Sequence, residues 1–345
     1  MKDLKYVLAY TIPLSAYFSI ISSGLGSYIT VLYAFGFIPF LEIVLKQHDR
    51  KYNDEEKASR LKNVLFDLML YINFPLAFGL LFYGFWQLTT IQHTAFEIVG
   101  KILSLGILLA TNGINVAHEL GHRTQSKERF WAKLLLCLSL YMHFYIEHNF
   151  GHHKNVATPE DPASAKKNQS LYRFWWSSIK GQYTNAWQLQ RMLLRQRKTH
   201  FFSIYNDMLF YSFFQLLYLF LINSLFGPTA VFYAIAIALV SVLMLESINY
   251  IEHYGLQRKK EDNGRYEQVK TIHSWNSNHI VGRIVLYELT RHSDHHHRAN
   301  KKYQILENSS ESPQLPWGYP TALIVALIPP LWYFKIHPRL KAFEE

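Results

Sequence analysis

A single cysteine, Cys137, stands in a chain of 345 residues. That excludes an internal disulfide framework, a four-cysteine zinc site and any built-in iron–sulfur or rubredoxin-type centre. Cys137 lies in the apolar run LLLCLSLYM and reads as a packed apolar side chain. Charge is also scarce. Asp, Glu, Lys and Arg make up 17% of the residues, below the roughly 25% of an ordinary soluble domain. Half of the chain is hydrophobic and 16% is aromatic. Mean hydropathy is still close to zero, because apolar blocks alternate with very polar, basic ones. No internal repeat of solenoid type is present.

What the chain does have is long apolar blocks. The first, at about 6–22, is followed by SSGLGS and at once by a second at about 28–45. A cleaved signal peptide would give way to a polar mature chain, so two membrane helices joined by a tight turn is the better reading. Further spans are expected at about 64–86, 95–117, 201–225 and 230–246. The run 130–145 is short for a span and reads as a helix in the interface or core, returning on the same side. The last apolar run, 319–334, contains Pro329-Pro330 and reads as a short interfacial helix. The expected fold is a single all-α integral membrane domain over residues 1–345. It has six transmembrane helices and a histidine-rich helical cap from about 118–200 and 247–345.

The net charge of +10 suits either a nucleic-acid surface or one face of a membrane protein, and its distribution decides. Six spans put both termini on one side. The turns on the opposite side (SSGLGS, residues 87–94 and FGPT) hold no Lys or Arg, and of 35 basic residues Lys101 alone lies near them. This is a positive-inside bias. It points to a cytoplasmic cap in a bacterial inner membrane and to no nucleic-acid partner.

Ten of the seventeen histidines sit in four clusters at the cytoplasmic ends of these spans. HELGH carries His118 and His122 at i, i+4, so both imidazoles face one way on a helix. EHNFGHHKNVATPEDPAS repeats that spacing with His148 and His152 and adds His153. His253 stands alone in IEHYG, on a stripe with Glu246 and Asn249. RHSDHHH offers His292, His295 and His296 at i, i+3, i+4, again read as one helical face. One ion takes four to six ligands, so nine imidazoles imply two metals. Without thiolates the donor set suits iron, zinc or copper. Neutral imidazoles leave the metal charge uncompensated, which calls for carboxylates behind or beside them. Asp67, Glu119, Glu147, Asp207, Glu246 and Asp294 are the candidates. Asn112 and Asn115 either line the junction of channel and metals or link helices.

HELGHR, EHNFGHHKNVATPEDPAS, NYIEHYGL, and HSWNSN followed by LTRHSDHH resemble the boxes of the membrane-bound alkane 1-monooxygenases, within the fatty-acid desaturase-like superfamily. The resemblance runs in order from about Ala117 to the LIPPLWYF tail. It implies that His118, His122, His148, His152, His153, His253, His292, His295 and His296 hold two non-haem irons. His273 would support them, with Glu119, Glu246, Asn249 and Asp294. It further implies O2-dependent terminal hydroxylation of medium-chain alkanes drawn from the bilayer. Electrons would come from an external rubredoxin and its NADH-dependent reductase, steered by Lys166, Lys167, Arg258, Lys259, Lys260, Lys301 and Lys302. His297 is not expected to be a ligand, His279 is expected to pack, and His48, His93, His143, His200 and His337 are expected at the surface or interface. The competing readings are a lipid desaturase or related hydroxylase, an intramembrane zinc protease built on HELGH, and a non-enzymatic metal carrier.

Overall fold

The computed structural model describes residues 2–45, 47, 49 and 51–343, so His48 lies outside the described residues. Six helices among them are long and apolar enough to cross a membrane: Asp3–Ile21, Gly24–Val44, Leu65–Thr90, Ala95–Gly121, Asp207–Phe226 and Pro228–His253. The only β-pairing among the described residues is two isolated bridges, Lys260 with Tyr266 and Asn276 with Gln314. The all-helical membrane architecture expected from the hydropathy pattern is therefore the observed one.

Two span boundaries differ from the apolar runs, each for a local reason. Residues 201–206 form turns, and the fifth span begins only where Asn206 accepts a hydrogen bond from the Leu209 amide. The sixth span runs on past residue 246 to His253, because Glu246, Asn249 and Glu252 are polar residues with partners inside the protein. Loss of apolar character there does not end the helix.

The turns away from the histidines are made by short-range chemistry. Thr94 and Glu97 form a capping box at the start of the fourth span. The Glu97 carboxylate also accepts from the Gly24 amide at 2.7 Å, tying the first turn to it. Gly227, at φ 82°, and Pro228 turn the fifth span into the sixth. Lys101, the one basic residue on this side, is buried and donates to the Ile20 carbonyl at the end of the first span.

The fourth span is the centre of the bundle, 56% buried against 17% for the fifth. The fifth presents Phe213, Leu216 and Phe220 outward at the rim. Close approach to the sixth span depends on Gly106, where an added Cβ would lie 2.3 Å from Cγ1 and 2.5 Å from Cβ of Val240. Asn112 donates to Asn73 Oδ1 at 2.7 Å and to the Ala9 carbonyl at 3.2 Å. Asn115 donates to the Leu286 carbonyl at 3.1 Å. Both therefore link helices, which favours that half of the alternative left open by the sequence.

The run at 130–145 is not one helix. Ser126–Leu138 ends at Leu140, whose φ is +52°, and a new helix starts at Phe144. The tail likewise divides into Tyr319–Ala326 and Pro329–Leu340, since Pro329 and Pro330 have no amide hydrogen to continue the first. Trp332 of the second piece is buried against Tyr250 and Tyr254. Neither piece is long enough to cross a bilayer.

A side chain at position 106 must push the fourth and sixth spans apart, an overpacking cost of about 1–3 kcal/mol. Gly106→Ala is expected to lower the thermal midpoint of the detergent-purified protein by several degrees. Gly79→Ala, at a position with nothing within 4 Å, should leave it unchanged. Equal midpoints for the two variants would contradict this packing.

Candidate metal centre

The nine histidines converge, and they do so as two groups. His118, His122, His148, His153 and His295 bring one ring nitrogen each to a common point, and His152, His253, His292 and His296 do the same beside them. Within each group all such nitrogens lie within 4.8 Å of one another. The groups are neighbours: the rings of His153 and His296 lie 4.5 Å apart, centroid to centroid.

This partition corrects the one-face reading of the second and fourth clusters. Residues His148–His152 form a π-helical turn, not an α-helical one. In an α-helix, positions five apart are rotated by about 140°. The wider π turn brings them nearly into line, so His148 pairs with His153 at 3.0 Å between Nε2 atoms. His152 is turned toward the other group and meets His296 Nε2 at 3.2 Å. On His292–His297 the i, i+4 pair His292 and His296 stays together at 2.9 Å, and His295 goes to the five-nitrogen group. The span that carries His118 contains another π turn, Leu109–Ile114, one turn before it.

The donor set fits metal ions. Nε2 atoms of His122, His148 and His153 lie 3.0, 3.1 and 3.2 Å apart. A ring nitrogen that carries hydrogen has no lone pair left to accept with, so three mutual contacts cannot all be hydrogen bonds. With metal–imidazole bonds of roughly 2.1 Å, ligands at right angles sit about 3.0 Å apart, close to these separations. The Nε2 atoms of His118 and His295 are buried with no hydrogen-bond partner. Burial also holds His148, His153, His292, His295 and His296 well below the ordinary imidazole value, and His122 at about 3. They are neutral, as ligands must be.

Asp161 orients one of them. Its Oδ2 lies 2.9 Å from Nδ1 of His152, and Ser164 donates to the same oxygen at 2.6 Å. Burial opposes charge on both partners, and the carboxylate outweighs it, holding His152 above and Asp161 below their ordinary values. A carboxylate on the far nitrogen fixes the tautomer and aims Nε2 at the shared point.

The family comparison agrees with this geometry. A family model described as fatty acid desaturase matches residues 93–322. An alkane 1-monooxygenase from Alcanivorax borkumensis is 34% identical over 346 residues, covering 98% of this chain and 90% of its own. One from Pseudomonas putida is 39% identical over 310 residues, covering 89% and 76%. The chain belongs to the alkane 1-monooxygenase family. It is thus an oxidoreductase of the monooxygenase type and an integral membrane protein. The xylene/toluene monooxygenase hydroxylase component of Pseudomonas putida is similar at 27% identity over 351 residues, covering 100% of this chain and 91% of its own.

Within this monooxygenase the expected supporting residues are placed unevenly. His273 is buried and accepts from the Lys270 amide through Nδ1. The next residue, Ser274, places its hydroxyl 3.5 Å from Nδ1 of His253. Glu119 pairs with Arg123 at 2.8 Å and accepts from the Tyr303 amide, so it is engaged and not poised as a protease base. Arg123 in turn reaches Asp67. Glu246 collects hydrogen bonds from Tyr141, Ser178, Gln182 and Asn249. Glu147 accepts from Asn185, Asp207 begins the fifth span, and Asp294 bonds Lys301 and the Glu307 amide.

Two carboxylates that do touch the imidazoles, Asp161 and Glu252, were missed. Asp161 lies in the quoted box, nine residues after His152, where helical spacing gives no hint of contact. Glu252 adjoins His253, where it reads as the neighbour of a ligand.

Of the remaining histidines, His297 is exposed, with Nδ1 3.4 Å from the Val269 carbonyl. His279 is half-buried beside Ser277. His143 departs from expectation: it is buried between Tyr141 and Tyr183, and burial lowers it to about 3.

Asp161→Asn keeps the shape and removes the charge behind His152. Metal titration of the purified protein should show one of two binding steps weakened by roughly 10–100-fold, with the other unchanged. Two unaltered steps would remove Asp161 from the centre.

Proposed function

We propose that the protein hydroxylates the terminal carbon of medium-chain n-alkanes at a di-iron centre held by the nine imidazoles, His118, His122, His148, His153 and His295 on one ion and His152, His253, His292 and His296 on the other. The observation that carries the reading is the meeting of these nine nitrogens in two adjacent groups. The overall change is R–H + O2 + 2 e⁻ + 2 H⁺ → R–OH + H2O. When bound, the irons supply the activation of O2 that oxidation of an unactivated C–H bond requires.

The chain's own residues bind and place the substrate. An apolar cavity of about 370 Å³ lies among the second, fourth and sixth spans and the tail, walled by Val31, Phe35, Ile107, Val240, Met244 and Leu323. A smaller one of about 40 Å³ shares Phe35, Met244 and Leu323 and adds Tyr319. Such walls suit a ligand with no polar group. Tyr319 donates to Glu252, whose other oxygen faces His292, so these two side chains link the smaller apolar space to the imidazoles. An acyl lipid has a polar head for which these walls offer little.

A single cysteine, Cys137, cannot hold a rubredoxin-type iron centre, so the electrons are assigned to a separate carrier. An acidic carrier, rubredoxin with its reductase, would be drawn to the cap, which faces the cytoplasm in a bacterial inner membrane. Lys166, Lys167 and Arg173 line a cleft of about 490 Å³ that also contains Asp161, the partner of His152. Of the other basic residues named for this role, Lys301 and Lys302 are paired with Asp294 and Asp67.

Purified protein with rubredoxin, reductase and NADH should contain two irons and form 1-octanol from octane. His152→Ala and His295→Ala, each removing a nitrogen from a different group, should lower iron content and abolish alcohol formation. Two irons with no alcohol from any alkane, or an unsaturated product from an acyl lipid instead, would overturn the substrate assignment.

A further inference from the structure

Glu252 ends the sixth span beside His253 and is 1% exposed. Its two carboxylate oxygens face different neighbours. Oε1 accepts from the Tyr319 hydroxyl at 2.6 Å, and Oε2 lies 3.2 Å from Nε2 of His292. That nitrogen is the one that meets His253 Nε2 at 3.1 Å and His296 Nε2 at 2.9 Å. The other ring nitrogen of His292, Nδ1, is buried and has no partner. Glu252 therefore comes to His292 from the side on which the imidazoles converge. Asp161 is the contrast, since it meets His152 at Nδ1, from behind.

The 3.2 Å separation equals those between imidazole nitrogens that share an ion position. Counting and charge point the same way. The group of His152, His253, His292 and His296 has four donors where its neighbour has five, and Glu252 borders it at His292 without lying within 4.8 Å of all four nitrogens. Nine imidazoles also bring no negative charge to two divalent ions, and a carboxylate oxygen is an ordinary ligand for iron.

We propose that Glu252 is a tenth ligand, with Oε2 bound to the four-imidazole ion and Tyr319 holding Oε1 so that Oε2 faces it. This rests on the reading of the nine histidines as a two-ion centre and names a donor beyond them. Tyr319 is a positioning residue: it lines the small apolar cavity and fixes the carboxylate without touching the ion.

The test is made on the full-length purified protein loaded with Mössbauer-active ferrous iron, with competition by a chelator. The wild type should hold two irons with two distinguishable signals. Glu252→Gln, which keeps the shape and loses the anion, should weaken one iron by about tenfold or more and change one signal, leaving the other in place. Tyr319→Phe should keep both irons and shift that same signal. Glu252→Gln with both irons and both signals as in the wild type overturns the proposal. If the Gln variant does not purify, an experimental map of the iron-loaded wild type decides. An Oε2–iron distance of about 2.2 Å upholds ligation, and a water between them overturns it. A wild type that binds no pair of irons would sink the di-iron reading itself. A wild type with two irons and alcohol formation beside an unaltered Gln variant would sink only this inference.

Discussion

Nine lone pairs aimed at two small volumes are the constraint around which this protein is built. Ring nitrogens at 2.9–3.2 Å from one another in mutual contact cannot all satisfy each other by hydrogen bonding, and burial denies them water. A metal cation at the shared point would resolve the conflict. The surrounding structure keeps the histidines from turning away. The fourth span delivers His118 from the most buried helix of the bundle, Asp161 anchors the back of His152, and the sixth span continues beyond its apolar part to place His253.

Helix regularity is what gives way. The π turn at His148–His152 lets three histidines in six residues serve two groups, which an α-helix would not do without sending one imidazole elsewhere. Such turns lose some hydrogen-bond quality and occur where a site requires them. The second cluster therefore works as a distributor between the two groups, and so does His292–His297, which sends His295 one way and its neighbours the other.

Much of the architecture was legible in the sequence, because hydropathy and turn chemistry act locally and each leaves a short-range pattern. The four histidine clusters were legible for the same reason, as chemistry concentrated in short words. What the words could not carry was the assignment of each histidine to a group. Spacing of i, i+4 implies one face only while the helix is α, and nothing in HNFGH announces a π turn. The carboxylates were harder still. Glu119 and Asp294 sit inside the clusters yet bond Arg123 and Lys301, whereas Asp161 reaches His152 through a loop. Loop closure follows from tertiary packing, not from periodicity.

The histidines of the five-nitrogen group span residues 118 to 295, and those of its neighbour 152 to 296. A metal ion bound by either group would therefore cross-link segments far apart in the chain, fastening the ends of two membrane helices to the loops that cover them. Free energy gained on binding such an ion is also free energy of folding. Metal supply would thus bear on the durability of the whole cap, and a chain stripped of its metal would lose its clasp as well as its reagent.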